Sequence, residues 1–591
     1  MPSNRKINIA LIVLLVLSAV ARGLIAGSIE LGNDEVYYWT YAKFPALSHF
    51  DHPPMVGFVI QLFTFNLTFD SEFFLRLAAV VLGTFSTWFM FLIGRLIKNS
   101  LTGLYAALLF TGSFYGFILS GTFILPDSPQ VFFWLLTLYL LLKSLTDTDL
   151  TSVSRNALFM AGVTAGLALL SKYHSVFLVT GAFMYVLLYN RKWFRAKELY
   201  GAFLVLALLF LPVIFWNIEN QFISFTFHEN RIGITESGIQ PQYFFTEVIG
   251  QFFYNNPVNV VIIVIALVAL MRRRSFLEKS YTRLILWISL PLLLIFLGFS
   301  LFRSTLPHWT GPAYLGLILI AAAYLSGPLN VEVKRKLVPW PILVSLLLLS
   351  SVAVLGTIQI NRGFLPFKKW KVDDISLDLY GWEQLGTKFA AQAKWDESNY
   401  LIDKGSPIVT FRWFPAANLD YYLARKINKV VYALGPLERI HKYFWINKER
   451  GNLKKGSDAY YLAFSDDYED PVAQYGKLFE MILPSDTIFI LRNQDTVRKV
   501  FVFRLIDLKQ DMIFVPEAHK TPAKSIKATT ADTLAFFLNQ IRSDRQYLDI
   551  LEKKSVEENI PLEDLIHVEA LKMLEQSKDL EVKMDTNKVE P

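Results

Sequence analysis

Apolar runs long enough to cross a bilayer recur through the first 360 residues and then stop. They lie at 7–27, 73–97, 101–121, 129–143, 156–171, 174–190, 199–217, 256–271, 283–302, 309–326 and 338–360. Most approach the roughly 17–25 residues that a helix needs to span the hydrocarbon layer. The runs at 129–143 and 156–171 are shorter, so ten to twelve spans, about eleven, are expected. From Asn361 the pattern becomes that of a soluble domain. Trp382–Ala393 has helical spacing, as does Ala416–Arg425. Pro407–Trp413, Lys429–Leu434, Ala459–Phe464, Thr487–Leu491 and Arg498–Leu505 are β-rich runs. Beyond residue 515 a charged tail is predicted to hold helices around 530–554 and 562–576. The expected architecture is a polytopic α-helical membrane module (1–360), a soluble α/β domain (361–514) and a tail (515–591).

Charge orients the module. The net charge of +7 could suggest a nucleic-acid partner, but the cations sit in short clusters between apolar runs, as topology signals do. With the N-terminus in the cytoplasm, Arg5, Lys6, Arg95, Lys98, Lys143, Arg155, Arg191, Lys192, Arg195, Lys197, Arg272, Arg273, Arg274, Lys279, Arg283, Lys334, Arg335 and Lys336 fall inside. Only Arg22, Lys43, Arg76, Lys172, Arg231 and Arg303 fall at or beyond the outer ends. The α/β domain is then extracytoplasmic. Arg5 and Lys6 ahead of Ile7–Ala21 resemble a signal peptide, yet ten further apolar runs favour a retained first helix. The absence of cysteine excludes disulfides and thiolate metal sites. Neither a P-loop nor a glycine-rich dinucleotide fingerprint is present, and no nucleic-acid partner is expected.

The polar chemistry gathers on the predicted outer face. The segment Asp34–Pro54 carries three carboxylates (Asp34, Glu35, Asp51), two histidines (His49, His52) and several aromatic rings. The turn with Asp127, the Lys172–His174 turn and the Pro307–Trp309 junction lie on the same side. One base and a cationic cradle are what sugar transfer from a prenyl-phosphate carrier requires. The base takes the acceptor's proton, and the phosphate leaves as a stable anion, so little acid help is needed. Asp34 and Asp127 are candidate acids; Arg76, Lys172, His52 and His174 are candidate cradle members. Plainer readings stand beside these. Asp127 precedes Ser128-Pro129 and can simply cap a helix, Arg76 can snorkel to headgroups, and Trp309 can belong to an interfacial aromatic belt.

DEVYYW (Asp34–Trp39), FDHPP (Phe50–Pro54) and FFLRL (Phe73–Leu77) together resemble the first outer loop of bacterial family-39-type glycosyltransferases. That family belongs to the GT-C superfamily, with the protein O-mannosyltransferases and the lipid A aminoarabinose transferases. LPDSPQVFFW (Leu125–Trp134), LLSKYHS (Leu169–Ser175) and LPHWTGPAYL (Leu306–Leu315) resemble later motifs in the same order, over residues 1–360. The resemblance implies a GT-C-type membrane enzyme, an inverting glycosyltransferase of the inner membrane that uses a polyprenyl-phosphate sugar. The acceptor would be a hydroxyl of a lipid, glycan or protein. It implies Asp34, Glu35 and Asp127 as catalytic residues, and Asp51, His52, Arg76, Lys172, His174 and Trp309 as substrate-binding ones. His52 stands where relatives often have Lys, so a group expected to titrate near neutrality replaces a permanent charge. No cofactor is implied, although a divalent metal is compatible with the site. A secondary transporter or lipid flippase is the alternative, distinguished by acids near the bilayer midplane.

Overall fold

In a computed structural model, residues 2–514 are described apart from 233–237, 330, 332–333 and 371, together with scattered residues between 538 and 570. The chain divides into two compact units, Met1–Phe514 and Val515–Pro591. Most of the tail helices expected at 530–554 and 562–576 lies outside the described residues.

All eleven apolar runs are helical. Eight form long apolar helices: Asn4–Ala26, Glu72–Ile97, Asp127–Leu145, Ser152–Ser171, Lys197–Glu219, Lys279–Phe299, Pro307–Leu325 and Trp340–Arg362. Two more are the shorter apolar helices Ser100–Thr111 and Tyr173–Tyr189, and the last is Pro257–Met271, bent by 101° against Pro241–Tyr254. The molecule is thus a multi-pass membrane protein. Its helices pack through small residues, as expected where lipid gives no hydrophobic drive for helix association. A Cβ on Gly94 would lie only 2.7 Å from the Cα of Gly103 on the next helix, so the two backbones touch.

Two stretches expected to be loops are helical. Asp34–Pro54 begins as a helix, Asn33–Lys43, and the chain re-enters one at Met55–Phe63. The 218–255 connection holds Ile223–Ile232 and Pro241–Tyr254. The helix Asn33–Lys43 has no apolar stripe for periodicity to detect, because Glu35 through Ala42 are all buried, on every side.

The soluble domain contains a five-stranded mixed sheet: β1 (Ile408–Thr410), β2 (Val431–Ala433), β3 (Ala459–Phe464), β4 (Phe479–Arg492) and β5 (Asp495–Leu508). Their order is β2-β1-β3-β5-β4. β1 runs parallel to β2 and β3, and β5 is antiparallel to β3 and β4. Asn493 and Gln494, both at positive φ (51° and 70°), form the two-residue turn between β4 and β5.

This domain seats on the segments around the helix Asn33–Lys43 through polar contacts. The Leu31 amide donates to Tyr422 Oη at 2.6 Å, and Tyr421 Oη donates to the Asp70 carbonyl at 2.6 Å. Arg425 pairs with Asp70. Glu30 accepts from the first two amides of the helix Trp382–Ser398, at 2.7 Å from Trp382 and 3.2 Å from Glu383.

Candidate active site

Four polar elements converge because each lies at the same end of the helix bundle. The chain alternates direction from span to span, so Asp34, the start of Asp127–Leu145, the end of Ser152–Ser171 and the start of Pro307–Leu325 all face the soluble domain's side. They enclose a cavity of about 690 Å³. Asp34, Asp51, His52, Asp127, Lys172, His174 and Trp309 line it together. Its wall toward the membrane is apolar, made by Val176 and Phe177 of one helix and by Ile295, Phe296 and Phe299 of another. The cavity is therefore polar at one side and greasy at the other.

Asp34 and Glu35 are neighbours in sequence and separate in space. A helix turns about 100° per residue, so Asp34 is exposed to the cavity while Glu35 points into the bundle. There Glu35 meets Arg76 in a two-pronged ion pair, Nε to Oε1 at 2.7 Å and Nη2 to Oε2 at 2.6 Å. Glu35 also accepts the Gly32 amide at 2.9 Å and the Ile124 amide at 3.0 Å. Arg76 uses its remaining donors on the carbonyls of Ala26, Ile29 and Glu30, at 2.8–3.0 Å. Neither side chain lines the cavity. The structure thus brings seven of the nine expected site residues together and places Glu35 and Arg76 behind them, where they staple the helix Asn33–Lys43 to the helix Glu72–Ile97.

Asp127 is held by Lys172, whose Nζ donates to Oδ2 at 2.7 Å, and by Tyr115, whose Oη donates to Oδ1 at 3.0 Å. Tyr115 begins a π-helical turn, Tyr115–Leu119, that follows the helix Ser100–Thr111. Such turns often mark functional positions, because they re-aim a side chain. Lys172 ends the helix Ser152–Ser171 in extended backbone (φ −159°, ψ 136°), which carries its chain across to Asp127. Among the described lining residues it is the one Lys or Arg.

Asp51 accepts from Tyr37 Oη at 2.9 Å and from Tyr41 Oη. Burial pushes its carboxyl up, but the adjacent imidazoles of His52 and His441 and the two phenol hydrogen bonds leave it below the ordinary range. His52 departs from the expectation of titration near neutrality. Burial pushes its imidazole down to about 3, against the pull of Asp51, and nearby Lys172 adds to the fall. A neutral ring cannot replace the lysine charge, so the fixed positive charge in the cavity rests on Lys172.

Five of the eight histidines line the cavity, His52, His174, His228, His308 and His441. Sequence reasoning missed three of them, along with Trp413; Tyr37 and Tyr38, open between sugar contact and interfacial anchoring, also line the cavity. His308 was within reach, inside the LPHWTGPAYL motif. His228 donates from Nε2 to the Asp51 carbonyl at 2.8 Å, but it belongs to a connection read as a loop. Trp413 and His441 come from the soluble domain, and no local pattern connects them to Asp34. Among the described residues no group of three His, Asp or Glu side chains is placed to hold a metal ion.

Comparison with known proteins agrees with this geometry. Residues 51–216 match the family described as dolichyl-phosphate-mannose-protein mannosyltransferase. The chain is 24% identical over 302 residues to the lipid A galacturonosyltransferase RgtD of Rhizobium johnstonii, covering 50% of this chain and 61% of that one. It is 28% identical over 320 residues to an uncharacterized protein of Aquifex aeolicus, covering 53% and 59%. The matches thus span about three fifths of each relative's length. Among solved structures, ArnT from Cupriavidus metallidurans bound to undecaprenyl phosphate superposes with a TM-score of 0.54 at 15% identity, covering 83% of this chain and 97% of that one. Its apo form gives 0.52 at 14% identity over the same shares. The chain therefore shares the fold of ArnT, and its residues 51–216 are similar to the mannosyltransferase family.

Proposed function

We propose that this protein transfers a sugar from a polyprenyl-phosphate donor to a hydroxyl of a lipid, glycan or protein acceptor. The observation that carries the reading is one cavity in which an exposed carboxylate, Asp34, and a buried cation, Lys172, face a wall of membrane-helix apolar side chains. A prenyl chain fits the apolar wall, its phosphate the ammonium of Lys172, and the sugar the polar floor between them. The relatives support this: one is named for sugar transfer to lipid A, and a solved neighbour was captured with undecaprenyl phosphate.

Asp34 acts as the base. It takes the proton from the acceptor hydroxyl as that oxygen bonds to the anomeric carbon. The bond from that carbon to the phosphate oxygen breaks, and polyprenyl phosphate leaves with the electron pair. Attack opposite the leaving phosphate inverts the anomeric centre. Lys172 stabilises the charge developing on phosphate, and Asp127 with Tyr115 holds Lys172 in place. The positive-inside distribution of Lys and Arg puts the cavity on the outer face of the cytoplasmic membrane, with the N-terminus inside.

The transporter reading loses support from the depth of the acids. In the eight long apolar helices every carboxylate (Glu72, Asp127, Glu198, Glu219) stands at the first, second or last position. A transporter places such groups near the midplane. The deciding experiment incubates purified protein with a panel of polyprenyl-phosphate sugars and an envelope-lipid acceptor. Release of free polyprenyl phosphate that depends on acceptor is expected; none with any sugar would defeat the proposal.

A further inference from the structure

The soluble domain reaches the cavity with Trp413 and with a short stretch around His441. That stretch forms a four-residue helix, Leu437–Ile440, that ends on His441. His441 has φ 49° and ψ −127°, a backbone conformation suited to glycine and strained for a residue with a Cβ. The chain holds that strain without a glycine at the position. Its imidazole is packed face to face with Phe50 on one ring contact (centroids 4.8 Å apart, 28° between planes) and with Trp413 on another (5.7 Å, 19°). A ring stacked in this way still lines the cavity, with Tyr37 and Phe227 set against it at 70° (centroids 6.2 and 5.5 Å away).

The next residue fastens this stretch to the segment Asp34–Pro54. Lys442 is buried, and its Nζ donates to the Phe44 carbonyl at 2.6 Å and to His49 Nδ1 at 3.0 Å. Its amide donates to Tyr37 Oη at 3.4 Å, the same hydroxyl that donates to Asp51. The strained turn, the two stacking partners and the buried clamp together hold the imidazole at the cavity wall.

We infer that the soluble domain completes the transfer site by placing His441 against the substrate, where its imidazole recognises a hydroxyl of a bound sugar. The inference rests on the transfer reading above and deepens it: it names a contact residue and assigns the soluble domain a place in substrate selection. Strain at a residue that faces a cavity is the expected signature of a side chain retained for binding rather than for stability. The sugar can be the donor's own or one carried by the acceptor, and the two differ in which saturation curve moves.

The test compares full-length wild type with His441→Gly and His441→Gln, measuring thermal midpoint in detergent and kcat/KM separately for donor and acceptor. Glycine relieves the backbone and removes the ring, so the midpoint should equal or exceed wild type while kcat/KM falls roughly tenfold, about one hydrogen bond's worth. Glutamine keeps a side-chain donor and should recover part of that loss. A fall confined to donor KM assigns the donor sugar, and one confined to acceptor KM assigns an acceptor sugar. Unchanged kinetics in His441→Gly, with wild type active, would overturn the inference alone. A midpoint that drops in parallel with activity, with no recovery in His441→Gln, would make the ring a packing element and also overturn it. If wild type releases no polyprenyl phosphate, the transfer reading fails and this inference fails with it.

Discussion

Two adjacent carboxylates show what a motif leaves open. Asp34 and Glu35 share DEVYYW, but one meets the cavity and the other is consumed by Arg76 and two backbone amides. Their substitutions should therefore fail differently. Asp34→Asn keeps the shape and removes the basicity, so transfer should fall by roughly 10²–10⁴-fold, the usual worth of a general base. Retention of a labelled polyprenyl phosphate by the same variant should match wild type. Near-normal turnover in folded Asp34→Asn would move the base to Asp127. Glu35→Gln instead leaves a buried guanidinium without its carboxylate, which costs on the order of 3–5 kcal/mol. Its thermal midpoint should drop while the donor KM of the folded fraction stays put. The same holds for Arg76→Ala, whereas Lys172→Met should raise donor KM, because Lys172 lines the cavity and Arg76 does not. A donor KM that rises for Arg76→Ala and not for Lys172→Met would reverse these roles.

At the scale of elements, the soluble domain's longest helix begins on a side chain from the membrane module. Glu30 accepts from the amides of Trp382 and Glu383, the end of a helix where anions are favoured. Burial nevertheless raises its carboxyl from 4.5 to about 7, with the charges of Glu383 and Glu72 adding to the effect. A carboxyl with a raised folded pKa holds a proton that the unfolded chain has already lost. Its proton-linked stabilisation is complete below about 4.5 and disappears as pH rises through 7. Thermal midpoints of the wild type should therefore fall between pH 5 and 8 by more than those of Glu30→Gln, whose amide cannot ionise. Parallel profiles for the two proteins would remove Glu30 as the source. The helix Asn33–Lys43 makes the complementary point: its fold depends on neighbours on all sides, so its own sequence carries no one-sided signal.

For the whole molecule, orientation decides where the reaction occurs. Reporter fusions after Lys98, Lys197 and Lys336 should report cytoplasm, and fusions after Gly238 and Phe364 should report the outside. A cytoplasmic signal after Phe364 would invert the assignment of the cavity to the outer face. The helical character of the apolar runs and most of the strand runs were legible in the sequence, although among the described residues eight or nine helices, not eleven, are long and apolar enough to span. Crossing a bilayer imposes a continuous apolar length, and a strand imposes local β propensity, and both are written in consecutive residues. Seven of the nine expected residues line one cavity for a related reason: alternating spans bring their ends onto one side, and the motifs sit at those ends. Tertiary structure alone decided the rest. It set Asp34 at the cavity and Glu35 behind it, locked Arg76 away from the cavity, pushed the His52 imidazole down by burial, and brought Trp413 and His441 to the same cavity as Asp51 from about four hundred residues along the chain. Each of those outcomes depends on what a side chain meets across the fold, through desolvation, ion pairing and stacking, and none of those partners is a neighbour in sequence.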